Sequence, residues 1–313
     1  MKRHWNTLST ENERRYGFPL YRIGVDASFS CPNRDRNRDG GCIFRDGTGA
    51  SAVYQRGADD GVSPLLLESI EKQIERGKRF IHYRYKAEHA ALYLQAFSNT
   101  YAPLERLKVI YDRALSCGPF LQFIVSTRPD CINESIASLL ASYITKDREV
   151  WVELGLQSSS DDTLKRINRG HSVECFKTAT ALLKEKGIKV TAHVMFMPCF
   201  DKRDDYIKCA KIINESACDG VKVHNLLVAK GTELEREYLK DGCLTLSSVR
   251  RHIEDLAIFL SYLNKEVIVE RLTSDMSDIR LTAPLHFPDK RDILASLDSY
   301  MEKRDLYQGS NLE

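Results

Sequence analysis

Cys31 and Cys42 are the residues whose type and spacing best suit chemistry. Ten residues separate them in the loop Cys31-Pro-Asn-Arg-Asp-…-Gly40-Gly41-Cys42-Ile-Phe-Arg45. Iron–sulfur clusters are held by closely grouped thiolates on a backbone able to wrap the sulfides. Gly40, Gly41, Pro32 and Asn33 supply that flexibility and turn chemistry. Two cysteines so spaced also fit two ordinary free thiols. A structural zinc would need two further ligands, which the sequence does not place nearby.

The elements that must position this loop follow from apolar patterning. The 313 residues, 42% hydrophobic and 29% charged, suit one large α/β domain or two ordinary ones. Net charge is +2, so no global field points to nucleic acid or membrane. No apolar run approaches the ~20 residues of a spanning helix, and the first residues lack the apolar core of a signal peptide. With nine cysteines, an odd count, free thiols and metal ligands are expected over disulfides, and a cytoplasmic location with no membrane partner.

Strand patterns fall at 20–26, 91–97, 120–126, 150–157, 188–196 and 219–228. Helical patterns fall between them, near 61–78, 103–116, 133–145, 173–187 and 201–217, with another at 246–263. This alternation implies a parallel sheet with right-handed crossovers. Six units are too few for a closed eight-unit barrel and suit a partial one. Residues 265–272 read as one more strand, 289–304 as a closing helix and 309–313 as a frayed end. The division expected is an N-terminal segment (1–18), a core (19–245) and a C-terminal extension closing the barrel (246–313).

In a parallel α/β architecture the chemistry sits at the carboxyl ends of the strands. The polar residues expected there are Cys31 and Cys42, then Gln95 with Asn99 and Thr100, then Ser126 to Asp130. Glu153 and Gln157 follow, then His193 and His224. So many polar groups on buried strands need partners, which favours a polar ligand in the barrel mouth.

The segment Asp26-Ala-Ser-Phe-Ser-Cys-Pro-Asn-Arg-Asp35, followed by Gly40-Gly-Cys-Ile-Phe, resembles the cluster loop of the YhcC-type radical S-adenosylmethionine (SAM) proteins. These are relatives of the elongator catalytic subunit and the oxygen-independent coproporphyrinogen dehydrogenase. The resemblance extends through Gln95-Ala-Phe-Ser-Asn-Thr-Tyr101, Thr127-Arg-Pro-Asp-Cys131, Val152-Glu-Leu-Gly-Leu-Gln157 and Ile167-Asn-Arg-Gly-His171. It continues to Gly220-Val-Lys-Val-His224, Lys230-Gly-Thr232 and Ala283-Pro-Leu285. It implies an α/β fold, a partial (β/α)6 TIM-like barrel with a C-terminal extension. It also implies a [4Fe–4S] cluster on three cysteines, with SAM chelated by the fourth iron. An external reductant would drive cleavage of SAM to a 5′-deoxyadenosyl radical acting on a substrate that the sequence does not name.

By the same resemblance Cys31 and Cys42 are metal ligands, Gln157 meets the ribose or methionine end of SAM, and Arg169 pairs with its carboxylate. Gln95, Ser126, Glu153 and His193 complete the candidate cofactor contacts. The structural alternatives are a buried ion pair of Glu153 with Arg128 or Lys222, a satisfied core histidine at 193, a capped strand end at Ser126 and a surface helix arginine at 169. The stretch Lys72 to Lys86 mixes basic and aromatic side chains and makes RNA, tRNA in particular, a candidate partner, against a plain solvated helix end.

Two positions depart from the family pattern. The third cluster cysteine is Arg45, a permanent cation that cannot bind iron. The Gly-Leu-Pro-Gly turn of relatives is Phe196-Met-Pro-Cys-Phe200, where bulk replaces glycine on both sides of Pro198. Three explanations stand at this point: a cluster-free member of the family, a third ligand from Asp46 or Cys199, or a substitution confined to this sequence.

Overall fold

A computed structural model of the chain describes residues 3–34, 40–45, 70–241 and 244–312. In chain order the elements are α1 (Leu8–Tyr16), β1 (Tyr21–Val25), α2 (Ile70–Tyr85), β2 (Ala90–Leu94), α3 (Leu104–Ser116) and β3 (Phe120–Thr127). Then come α4 (Glu134–Ala141), β4 (Glu149–Gln157), α5 (Asp161–Arg166), α6 (Val173–Glu185), β5 (Lys189–Phe196), α7 (Arg203–Glu215) and β6 (Gly220–Asn225). The chain closes with β7 (Val228–Ala229), α8 (Glu233–Asp241), α9 (Val249–Ser261), β8 (Ile268–Arg271), β9 (Leu281–Ala283) and α10 (Lys290–Glu302).

Seven parallel strands form one sheet in the order β1-β2-β3-β4-β5-β6-β8, the α/β half-barrel expected. The strand expected at 219–228 is divided: β6 ends at Asn225, and Val228–Ala229 pairs antiparallel with β9 instead. The helix expected near 61–78 is described from Ile70 and runs on to Tyr85, while Asp46 and Cys243 lie outside the described residues. Residues 309–312 are pinned rather than frayed, because Gly309 and Asn311 donate to the Leu260 and Ser261 carbonyls at 3.0 and 2.8 Å.

Period-two alternation explains why the strands curl around an interior. On β4, Val150, Val152, Leu154 and Leu156 pack in the outer core under the helices, while Trp151 turns inward. Trp151 joins Leu20, Ala91, Ile124 and Ile268 in an apolar floor. Outside, α2 reaches β1 through Gly77, where a Cβ would lie 2.5 Å from Ile23 Cγ2. The N-terminal segment covers the free edge of β8 through a parallel bridge from Thr7 to Val269, with Val269 donating to the Asn6 carbonyl at 2.8 Å.

Above the apolar floor lies a buried ionic tier. Glu153, with its side chain fully buried, accepts from Arg22 Nη1 at 2.8 Å and from Tyr93 Oη at 2.7 Å, and it pairs with Lys222. Glu270 accepts from Arg22 and from Thr191 Oγ1 at 2.7 Å. Two carboxylates and two cations balance here. The cations beside Glu153 hold its carboxyl well below the usual range against burial, whereas burial beside Arg22 lowers Lys222 to about 8. Removing one member would strand a charge in a dry interior. Glu153→Leu is therefore expected to lose about 3–5 kcal/mol in urea unfolding. An unchanged midpoint would remove the tier from the folding core.

Candidate functional site

The cysteine loop leaves the end of β1 and is fixed by segments distant in sequence. Asn33 donates to the Asn168 carbonyl, and Asn168 Nδ2 returns a bond to the Gly41 carbonyl at 2.7 Å. Ile43 donates to Ile167 and accepts from the Leu234 amide, at 3.2 and 2.9 Å. Asn168 adopts φ 51°, a left-handed conformation that asparagine tolerates. The loop is thus clamped by the segment Ile167 to Gly170 through ordinary hydrogen bonds.

Cys31 and Cys42 are both buried and line one small cavity with Arg34, Arg45, Phe97 and Arg169. Arg169 is 2% exposed, so it is no surface arginine, and its Nη1 reaches Cys42 Sγ at 3.7 Å. Burial lowers its pKa while Cys42 opposes that shift. Arg128, bidentate on Asp130 at 2.8 Å, donates to the Arg169 carbonyl at 2.7 Å and fixes that residue's backbone. Arg128 is therefore not the partner of Glu153, and Lys222 is.

Gly155 is required at the heart of this site. A Cβ there would lie 2.3 Å from Arg169 Nη2 and 2.5 Å from Gln157 Nε2. The β4–β5 register shifts between Gly155 and Gln157, and Gln157 adopts φ 68°. Its amide therefore folds back over Gly155 toward Arg169. Gln157 is 5% exposed and its side chain has no hydrogen-bond partner among the described residues. An amide without a protein partner thus stands beside a buried guanidinium.

His193 sits between this mouth and the ionic tier, with Nε2 2.9 Å from Glu153 Oε2, and burial lowers its pKa. His224 stands 5.5 Å away ring to ring, its Nε2 buried and unpaired, with its pKa pushed well down by burial. Glu153 has both carboxylate oxygens engaged one tier below. At the mouth, the Gln95 backbone N–H donates to the Val25 carbonyl at 3.0 Å, and the Ser126 carbonyl accepts from Asn99. The structure thus brings Cys31, Cys42, Gln157 and Arg169 together, and links His193 to Glu153. Sequence reading missed Arg22 and Tyr93, although polar residues at inward positions of apolar strands are a usable signal.

The donor set can be tested against the groups that the fold family implies. No three His, Cys, Asp or Glu side chains are grouped to hold a metal ion among the described residues. Between residues 31 and 69 the chain has only two cysteines, and Arg45, where the resemblance puts the third ligand, lines the cavity. Cys199 packs against the cluster around Ile43, Leu164 and Met197, and burial pushes its thiol up to about 11. Cys131 is likewise raised to about 12 by burial. A cluster on three thiolates does not fit these residues. The Arg169 guanidinium and the Gln157 amide offer donors that suit a carboxylate.

Two family models match the chain: the Radical SAM superfamily over residues 62–213 and the Radical_SAM C-terminal domain over residues 218–303. The uncharacterized protein MJ0486 of Methanocaldococcus jannaschii is 30% identical, over 95% of this chain and 89% of its own length. The chain belongs to the radical SAM superfamily, whose members bind a [4Fe–4S] cluster and SAM. Within it the chain is also similar to protein YhcC of Escherichia coli, at 29% identity over 98% of this chain and 95% of that protein. Among solved structures it shares its fold with the archaeal Methanocaldococcus infernus Elp3, with TM-score 0.66 and 22% identity. That match covers 92% of this chain and 64% of that one.

The altered turn after β5 is held by its own bonds. Phe200 and Asp201 donate to the Met197 carbonyl at 2.8 and 2.7 Å, and Ser158 Oγ donates to Asp201 at 2.8 Å. Burial raises the Asp201 pKa to about 6. An unfolded aspartate ionises near pH ~3.9, so between about pH 4 and 6 the folded state holds more protons and stability falls as pH rises. Asp201→Asn is expected to match the parent near pH 4 and exceed it by up to about 3 kcal/mol at pH 7, read by urea unfolding. A pH-independent difference would refute this account.

Proposed function

We propose that this chain is a SAM-binding member of the radical SAM superfamily that has lost the three-thiolate cluster site and with it reductive SAM cleavage. The observation that carries the reading is Arg45 at the third ligand position, in a cavity where Arg34 and Arg169 also face the two cysteines. The Gln157 amide and the Arg169 guanidinium would hold the amino-acid end of SAM, with Gly155 leaving room for both. The His193–Glu153 pair would border the ribose side, its charge balanced by the tier beneath. With no third thiolate, the fit supports binding and positioning of SAM, and no bond-breaking step follows from these side chains.

Anaerobic reconstitution with iron and sulfide, followed by metal analysis, tests the loss. The expected result is substoichiometric iron and sulfide with no 5′-deoxyadenosine formed under dithionite and SAM, while Arg45→Cys raises the bound iron. A stoichiometric cluster with SAM cleavage in the unaltered chain would overturn the reading.

SAM binding is tested separately by calorimetry on the unreconstituted protein. Arg169→Gln should weaken SAM by about 10- to 100-fold, the size of a lost charge-assisted hydrogen bond. Failure of the unaltered chain to bind SAM would leave the fold without this ligand.

A further inference from the structure

A second cavity, of about 550 Å³, opens at the seam between the two sheet edges. It is walled by the start of β1, by β8, by the first turn of α1 and by the first turns of α10. The cysteine loop leaves β1 at its other end, so this cleft is separate from the site already described.

Its chemistry is that of an anion site. Arg271 and Lys290, both exposed, line it, and among the described residues neither side chain has an ion-pair or hydrogen-bond partner. Partial burial of its head group and the like charge of Arg271 lower the Lys290 pKa, and Asp275 opposes them. Thr7, the N-cap of α1, is extended and bonds the Thr10 amide at 3.1 Å, so the positive end of a nine-residue helix faces the same space. Arg3 also lines the cleft but is committed to Asp298 at 2.8 Å. Glu270 borders it, yet its side chain is 1% exposed and turned into the ionic tier with Arg22 and Lys222. Glu11, the acidic residue of the first turn, is consumed by Arg14 and Arg15.

An independent observation points to a ligand. Asn12 is 4% exposed, lines the cleft, and its side-chain amide has no hydrogen-bond partner among the described residues. Trp5, 6% exposed on the same wall, likewise has an indole N–H without a partner. Polar groups held on the wall of a cleft without a protein partner are open to a ligand or to ordered water.

We propose that this cleft binds a phosphate monoester of up to nucleotide size. Arg271, Lys290 and the first turn of α1 hold the phosphate, and Asn12 with the Trp5 indole meets polar groups of the attached moiety. The volume suits such a ligand, since pockets for small molecules run from roughly 300 to 1,000 Å³. A dianionic head would also relieve the Arg271–Lys290 repulsion.

Calorimetry on the full chain with ribose 5-phosphate, compared with ribose, tests this. A short RNA carrying a 5′-phosphate, compared with its 5′-hydroxyl twin, separates a free sugar phosphate from a nucleic-acid end. Binding that requires the phosphate in either pair supports the site. Arg271→Gln and Lys290→Gln should then each weaken it by about tenfold, with unchanged thermal midpoints. Asn12→Leu should weaken the ester while sparing inorganic phosphate. Equal binding of the phosphorylated and unphosphorylated partners, no binding at all, or binding indifferent to Arg271→Gln and Lys290→Gln overturns the proposal.

Discussion

The buried ionic tier around Glu153 is the constraint on which the barrel interior depends. A parallel sheet buried on both faces is ordinarily filled with apolar side chains. Here strands β1, β2, β4, β5, β6 and β8 each turn a polar group to the centre, and Arg22 from one edge strand reaches Glu153 and Glu270 across the interior. Such a network is stabilising only when every member is satisfied, so it fixes the strand registers as a set. A slip of one residue would point these groups at the helices and put mostly apolar side chains in their place. The tier also separates the apolar floor from the mouth, so the mouth is shallow, polar and preorganised.

The mouth itself combines two different states of completeness. Around Gly155 the parts are mutually adjusted: a glycine because two side chains occupy its Cβ space, a left-handed Gln157 because its amide must fold back, and Arg128 holding the backbone of Arg169. Around the cysteines, three guanidinium groups stand beside two thiols. Those cations are well placed to balance anionic charge, but none can replace a metal ligand. The turn after β5 is tied down by hydrogen bonds, with Ser158 donating to Asp201.

Much of the fold was legible because βα alternation is a long-range, redundant signal. Runs such as Val150 to Leu156 declare a buried strand from composition alone, and the seven parallel strands follow. What the sequence hid was partnership. Glu153 read equally as a ligand contact or an ion pair, because its strand position says which way it points and nothing about which cation meets it. Arg22 lies 131 positions from Glu153, and no local pattern joins them. The division at Asn225 to Val228 escaped notice since both halves are β-prone. The pinned chain end depends on carbonyls of α9 and could not be read from residues 309–312 themselves. Within the site, the cysteines, Gln157 and Arg169 were visible as motifs, whereas the seam cleft is assembled from four separate elements and leaves no motif at all.

The clamp on the cysteine loop has a consequence for how such a site changes over generations. The loop is kept in place by Asn33, Asn168, Ile43 and Leu234, through bonds that involve neither thiol. These bonds therefore do not depend on which side chain stands at position 45. The architecture around the loop can thus persist while the residues at its chemical positions change.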